Sequence, residues 1–441
     1  MKDDVSKDNS LIPIKGNSIV KVGNLIQVTN KIIFHNIENI FNEAFYLINS
    51  KNIQQNHENF CYFFEFDADY AKKTNFKFVA KSETDYYKAI ELFERVNDIH
   101  PNFKFSYNYL GVAKYQLKCY KDAIAAFSKA IKIDPYYVHA YNNRGNARDE
   151  DNDYDGAIND YTKVIEIDPN YAKTYFLRGI VKYKIKDYEG AITDYTKAIK
   201  IDPNDNEFYR KRGMSKFKLN RIKDAILDYT KAIEINSIDY FSYYGLGDGK
   251  FELKDYEGAI SEYTMAIQLN PTWADAYFAR GFVKDEIMDY NGAIADYTHS
   301  LRLQPDDADA YYNLGIAKYE LKDYVGAIAD YSKCIELKPN GASAYFSRGD
   351  AKNEIKDYDG AIADFSKAIE LDPMDAVAYN DRGFIKHNAG NFKGAVEDYS
   401  KAIEIDNNYI TAINNRAIAY DKLQMTLEAV QDRALVAKIK S

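Results

Sequence analysis

Opposite charges recur at a fixed interval in this chain, and they are the residues whose types and spacing suit them best to chemistry. Arginine stands at Arg144, Arg178, Arg212, Arg280, Arg348 and Arg382, and an acid follows at Asp160, Asp194, Asp228, Asp296, Asp364 and Asp398. A guanidinium and a carboxylate can join through two parallel hydrogen bonds, so the chemistry predicted is a ladder of ion pairs. Leu110 and Ala126 replace both members at the start of the series, and Leu246 and Leu314 interrupt the arginines ahead of Glu262 and Asp330. No catalytic constellation accompanies the ladder. The six histidines (His35, His57, His100, His139, His299, His387) fall at unrelated positions, and no Ser or Cys nucleophile stands beside a base. Gly245-Leu-Gly-Asp-Gly249 has the composition of a phosphate loop but lies within a predicted helix and follows no strand. Neither catalysis, a cofactor nor a metal site is expected.

What must position these charges is a repeat. Gly111, Gly145, Gly179, Gly213, Gly247, Gly281, Gly315, Gly349 and Gly383 are spaced by 34 residues, with Ala417 at the tenth station, and Ala123 to Ala429 hold alanine at all ten of theirs. Self-similarity at such a period signals a solenoid, which is one body whatever its length. Each repeat resolves into two helices. In the second, Ala191, Ile192, Tyr195, Ala198 and Ile199 share one helical face, and Asp187 stands at the N-cap. Asp202-Pro203 marks the junction, with proline expected at a first helical position. The glycine costs about 1 kcal/mol in a helix relative to alanine, so close helix approach is its expected purpose. Three glycines between 245 and 249, with Ser237 replacing the junction proline, predict a hinge between the fourth and fifth repeats.

Ten repeats are assigned: 104–137, 138–171, 172–205, 206–239, 240–273, 274–307, 308–341, 342–375, 376–409 and 410–441. A degenerate repeat precedes them at 69–103, carrying Tyr86, Ala89, Phe93 and Pro101 at the matching stations. Residues 1–68 do not repeat. There, Ser18–Val22 and Leu25–Thr29 read as two strands about Gly23-Asn24, and Ile37–Ile48 reads as an amphipathic helix capping the first repeat helices. Val22–Ile33 also has a faint similarity to the swapped-hairpin antitoxin and transition-regulator family. At the other end Arg433, Thr426 and Ala437 replace the aromatic, tyrosine and isoleucine, as suits a helix with no successor to cover it.

Aromatic, Gly, Ala, aromatic, Ala and Pro at these spacings resemble the tetratricopeptide repeat, over residues from about 70 to 441. The resemblance implies an all-α fold, antiparallel helix pairs stacked in a right-handed superhelix, with first helices lining a concave groove. The sequence departs from the family where Lys or Arg (Lys114, Arg148, Lys182 and their successors) replaces an aromatic three residues after the glycine. The groove implied by the family falls on positions that vary here. These are Asn142, Asn143, Asn146, Lys173, Phe176, Tyr183, Arg210, Lys211, Phe217, Tyr244, Asp248, Phe251, Phe278, Asp285, Tyr312, Tyr319 and Phe346. A basic sector beside an acidic one, on an aromatic floor, suits an extended mixed-charge peptide. The carboxylate clamp of chaperone-tail members is incomplete, because Asn143 and Lys173 match while Asn108, Val112 and Leu177 do not.

Bulk properties set the remaining limits. The net charge of −9 argues against nonspecific nucleic-acid binding. Cys61, Cys119 and Cys334 offer neither a disulfide framework nor a zinc spacing. The acidic start lacks the apolar core of a secretory signal, and no apolar run is long enough to cross a bilayer. A cytoplasmic, noncatalytic scaffold for a protein or peptide partner is therefore expected, without membrane insertion; the partner and the oligomeric state are not specified by the sequence. The alternative is a regulator whose residues 1–68 dimerise or bind nucleic acid while the repeats sense a partner.

Overall fold

The computed structural model describes residues 12–14, 18–20, 40, 41, 43, 44 and 83–440. β1 (Ile12–Ile14) and β2 (Ser18–Val20) pair antiparallel, with Ile12 opposite Val20. Ser18–Val20 is thus a strand, as expected, and its partner among the described residues is Ile12–Ile14. Residues 23–29 lie outside the described residues, as does the degenerate repeat up to 82.

From residue 83 the described chain is all helical. The opening elements are α1 (Glu83–Ile99), α2 (Lys104–Gln116), α3 (Tyr120–Ile133), α4 (Val138–Glu150), α5 (Tyr154–Ile167), α6 (Ala172–Lys184) and α7 (Tyr188–Ile201). The same alternation of shorter and longer helices continues to Thr426–Lys440. Two compact units divide at Ser215/Lys216, within the helix Asn206–Lys218. This division does not coincide with the junction expected to be a hinge.

Within the first unit, Tyr183 near the end of α6 meets Tyr188 at the start of α7, while Phe176 near the beginning of α6 meets Tyr195 farther along α7. That register makes the helix pair antiparallel. Close approach explains the recurring glycine: a Cβ at Gly179 would lie 2.6 Å from the Tyr195 ring. In the second unit the three successive glycines have the same purpose. Gly245 faces Tyr229, Gly247 faces Tyr263 and Gly249 faces Ile226, each leaving too little room for a side chain.

The helix ends show how the sequence directs each turn. Asp187 caps α7 by accepting from the Gly190 amide at 2.9 Å. At the other end, Asp202 accepts from the Asn204 amide at 3.1 Å, and Pro203 lies in the resulting turn ahead of the helix that begins at Asn206. Proline therefore does not occupy the first helical position. Its fixed φ suits a turn as well as a helix start. After α6 the chain enters the left-handed region at Lys186 (φ 65°), with Lys186 N–H bonded to Tyr183 O and Asp187 N–H to Lys182 O. This is a Schellman termination, which ordinarily favours glycine. Here only Gly390 supplies one; Lys118, Asn152, Lys186, Asn220, Lys254, Met288, Lys322, Lys356 and Gln424 take the same conformation without it.

The expected ion-pair ladder is present and more connected than the sequence indicated. Arg178 donates from Nε and Nη2 to the two oxygens of Asp194, at 2.9 and 2.7 Å, and from Nη1 to Thr162 Oγ1 of the preceding repeat. Lys182 adds a second cation to Asp194 at 2.8 Å. The lysine that replaces the family's aromatic therefore completes the pair. In the second unit Arg280, Arg348, Arg382 and Arg416 repeat the arrangement with Asp296, Asp364, Asp398 and Asp432. Where leucine interrupts the arginine series, Lys250 and Lys318 still hold Glu262 and Asp330 at 2.7 and 2.6 Å. Before the ladder begins, Phe41 packs against Phe93, Phe103 and Tyr109 with ring centroids 5.2–5.8 Å apart. Phe41 and Ala44 thus pack on the first helices, while residues 37–39, 42 and 45–48 of the expected amphipathic helix lie outside the described residues.

Two outcomes are expected. Met288→Gly removes an exposed side chain from a left-handed position and should raise the urea unfolding midpoint, by about 1 kcal/mol in stability; a lowered midpoint would contradict strain there. A double-mutant cycle between Arg178→Met and Asp194→Asn should give a coupling above about 1 kcal/mol, whereas additivity would make the two charges independent.

Candidate functional site on the first-helix face

In the first unit the predicted groove residues are largely engaged by neighbouring side chains of the stack. Asn142 is buried and accepts from Thr174 Oγ1 at 2.9 Å. Asn143 donates to Asn108 at 3.1 Å, and Asn146 accepts from the Tyr161 hydroxyl at 2.7 Å. Phe176, only 3% exposed, packs between Tyr195 and Phe208. Asn142 and Phe176 are therefore core residues, not groove surface: the helices approach closely enough to enclose this station. Lys173 lies 4.7 Å over the Phe176 ring, Tyr183 sits edge-on to Tyr188, and Arg210 pairs with Glu207 at 2.9 Å. The Lys211 carbonyl accepts from Ser215 Oγ.

In the second unit the aromatic candidates also have an internal role. Phe278, Tyr312 and Phe346 pack on Tyr297, Tyr331 and Phe365, each a second-helix aromatic of the same repeat. Tyr244 packs on Tyr263 and Trp273. These rings are half-buried, so they contribute an edge to the surface as well as a face to the core. Phe251 meets both Tyr256 and Phe282, and Tyr319 meets Tyr324. Phe217, at the beginning of this unit, is half-buried.

The carboxylates among these rings are the distinctive feature. Burial and the nearby Glu252 push Asp248 up to about 6, although the Tyr263 hydroxyl donates to it at 2.6 Å and opposes the shift. Asp285 also rises to about 6, through burial and the charges of Glu286 and Glu320, and its buried Oδ1 meets no hydrogen-bond partner. Asp350 rises to about 7 through burial, Asp381 and Glu354. Burial, and after it the charges of Asp350 and Glu354, raise the Tyr319 phenol to about 12. These acids are not neutralised by an ion-pair ladder like that on the other side of the first helices. The glutamates that intensify the field had a legible signal: Glu252, Glu286, Glu320 and Glu354 stand 34 residues apart. Asp381 had none, since its counterparts in neighbouring repeats are Ser347 and Asn415. Among the described residues no group of His, Cys, Asp and Glu has metal-binding geometry, and no helix is long and apolar enough to cross a membrane.

Comparison with known proteins agrees with the helix-pair geometry. The tetratricopeptide-repeat profile matches residues 105–137, 138–171, 172–205 and 308–340, and a second TPR-repeat profile matches 247–284, 289–322, 349–390 and 385–424. The chain belongs to the tetratricopeptide-repeat family. Among solved structures it is similar to YrrB, described as a TPR protein with an unusual peptide-binding site, at 28% identity and TM-score 0.39 over 42% of this chain and 95% of that one. It is similar to MamA at 28% identity and TM-score 0.36, over 36% and 94% of the two chains. The C-terminal part of a TPR protein from Cytophaga hutchinsonii aligns at 22% identity and TM-score 0.49, over 54% and 98%. No curated protein matches the chain.

The raised acids make a pH-dependent prediction. With its folded pKa above the unfolded value, Asp350 keeps a proton in the folded state that the unfolded chain releases between about pH 4 and 7. Its contribution to stability is therefore lost as pH rises through that window. Asp350→Asn should raise the thermal unfolding midpoint at pH 8, and the gain should shrink towards pH 4; a pH-independent effect would contradict the assignment.

Proposed function

We propose that this protein is a noncatalytic scaffold that captures an extended protein segment on its first-helix face, and that the second unit selects cationic segments. The family supports protein interaction in general. The finer reading rests on one observation: Asp248, Asp285 and Asp350 are held partly buried, raised in pKa and beside aromatic rings. Partly buried charge of this kind, only Asp248 being eased by the Tyr263 hydroxyl and Lys218, is costly in the free protein, and a Lys or Arg side chain would relieve it. Aromatic edges beside the acids would bury the aliphatic stem of such a side chain. In the first unit Lys173, Lys184, Arg210 and Lys211 supply the opposite charge, with Lys184 bound to Asp149 at 2.7 Å and Arg210 to Glu207 at 2.9 Å. A segment with a basic stretch, whose register is fixed by charge, fits this distribution.

The test is fluorescence anisotropy with labelled twelve-residue peptides of graded charge. Cationic peptides containing an aromatic residue should bind best, and more tightly at pH 8 than at pH 5, where Asp350 and its neighbours take up protons. Asp285→Asn combined with Asp350→Asn should weaken that binding at least tenfold while leaving the protein folded. Indifference to peptide charge would remove the proposal.

A further inference from the structure

The ladder's first station is empty of its own charges, and a pocket takes their place. In α4, Arg144 donates to both oxygens of Asp160 and to Ser128 Oγ on α3. One repeat earlier all three groups differ: Leu110 stands for the arginine, Ala126 for the aspartate and Glu94 for the serine. The space between α1, α2 and α3 is an open pocket of about 350 Å³ whose wall includes these three residues, a size suited to a small ligand group; Leu110 and Ala126 are buried at its base, while Glu94 is exposed at its rim. Lys114, without a carboxylate at 126, donates instead to Glu94 at 3.1 Å. Asp98 and Asp122 add exposed acceptors at the rim, and Lys129, 5.5 Å over the Tyr107 ring, adds a second cation, so three acids face two lysines there.

Asn97 lines the same pocket. It is 7% exposed, and neither its carboxamide nitrogen nor its oxygen meets a hydrogen-bond partner. The matching residues in the following repeats are Ile131, Ile165 and Ile199. A buried, unpaired carboxamide carries a desolvation cost that isoleucine would avoid. Packing alone therefore gives no reason for asparagine here, whereas a polar guest does.

We propose that this pocket binds a guanidinium group carried by a second molecule, an arginine side chain in place of the one the ladder lacks. Asp98, Asp122 and the Asn97 oxygen supply acceptors for such a group, Glu94 shares its carboxylate with Lys114, and Leu110 and Ala126 leave the volume. A peptide-borne arginine also brings a carbonyl for the Asn97 N–H. Residues 1–94 contain no arginine. The site is separate from the first-helix face, so it stands or falls independently of the cationic-segment reading.

The experiment titrates the full chain with N-acetyl-L-arginine amide, following selectively ¹⁵N-labelled asparagine side chains by NMR. N-acetyl-L-citrulline amide, an uncharged analogue of similar shape, and free L-arginine serve as comparators. Saturable binding with a shifted Asn97 carboxamide is expected, at least tenfold weaker for the citrulline analogue. It should disappear in Asn97→Ile and in Leu110→Arg/Ala126→Asp, which fills the pocket with the chain's own pair; circular dichroism establishes that both variants are folded. Equal binding of free L-arginine would assign the site to the amino acid, and tighter binding of the amide to a protein segment. Absence of saturable binding, equal affinity for citrulline, or binding that survives in both folded variants would overturn the proposal.

Discussion

A carboxylate buried between two helices has to be answered by a cation, and much of this architecture follows from that requirement. Asp194 is 1% exposed, a condition tolerable only because Arg178 and Lys182 both reach it. The arginine's remaining nitrogen then reaches Thr162 on the helix before, so that satisfying the acid also joins one repeat to its neighbour. Gly179 supplies the complementary steric condition by admitting the Tyr195 ring where any side chain would collide. Charge and close packing thus fix the same helix pair from two directions.

Using the cations in this way leaves the other side of the first helices electrostatically different. In the second unit the lysines and arginines beside the glycines serve the buried aspartates, and the acids at 248, 285 and 350 remain without comparable partners. One set of carboxylates is neutralised to hold the stack; the other is kept near protons and aromatic rings. The ladder's cations and the acids without comparable partners therefore share the same thirteen-residue helices, such as Ala274–Glu286 and Ala342–Glu354.

The exceptions are informative for the same reason. Leu246 and Leu314 lose the arginine, yet lysine alone still meets the acid. Leu110 and Ala126 lose both members, and the structure does not close over the gap: it leaves an open pocket with an unpaired Asn97 at its side. Left-handed helix ends at Lys186 and Met288 are likewise retained without glycine, which shows that termination is set by the surrounding turn and helix contacts more than by the residue's own preference.

Repeat length, helix pairing, the glycine–aromatic contacts and the ion pairs between Arg178 and Asp194 were determined by the sequence, because each follows from residue type at a fixed spacing. The amphipathic stretch around Phe41 was legible on the same grounds. Only the tertiary structure decided which variable residues are surface. Asn142 and Phe176 have the composition of a binding face but are enclosed by Thr174, Tyr195 and Phe208, since burial depends on how closely helices approach and not on which positions vary. It also decided that Pro203 belongs to a turn and that Asp285 keeps an unpartnered oxygen. Periodicity specifies which residues face one another; the protonation and access of a side chain depend on the distances that result.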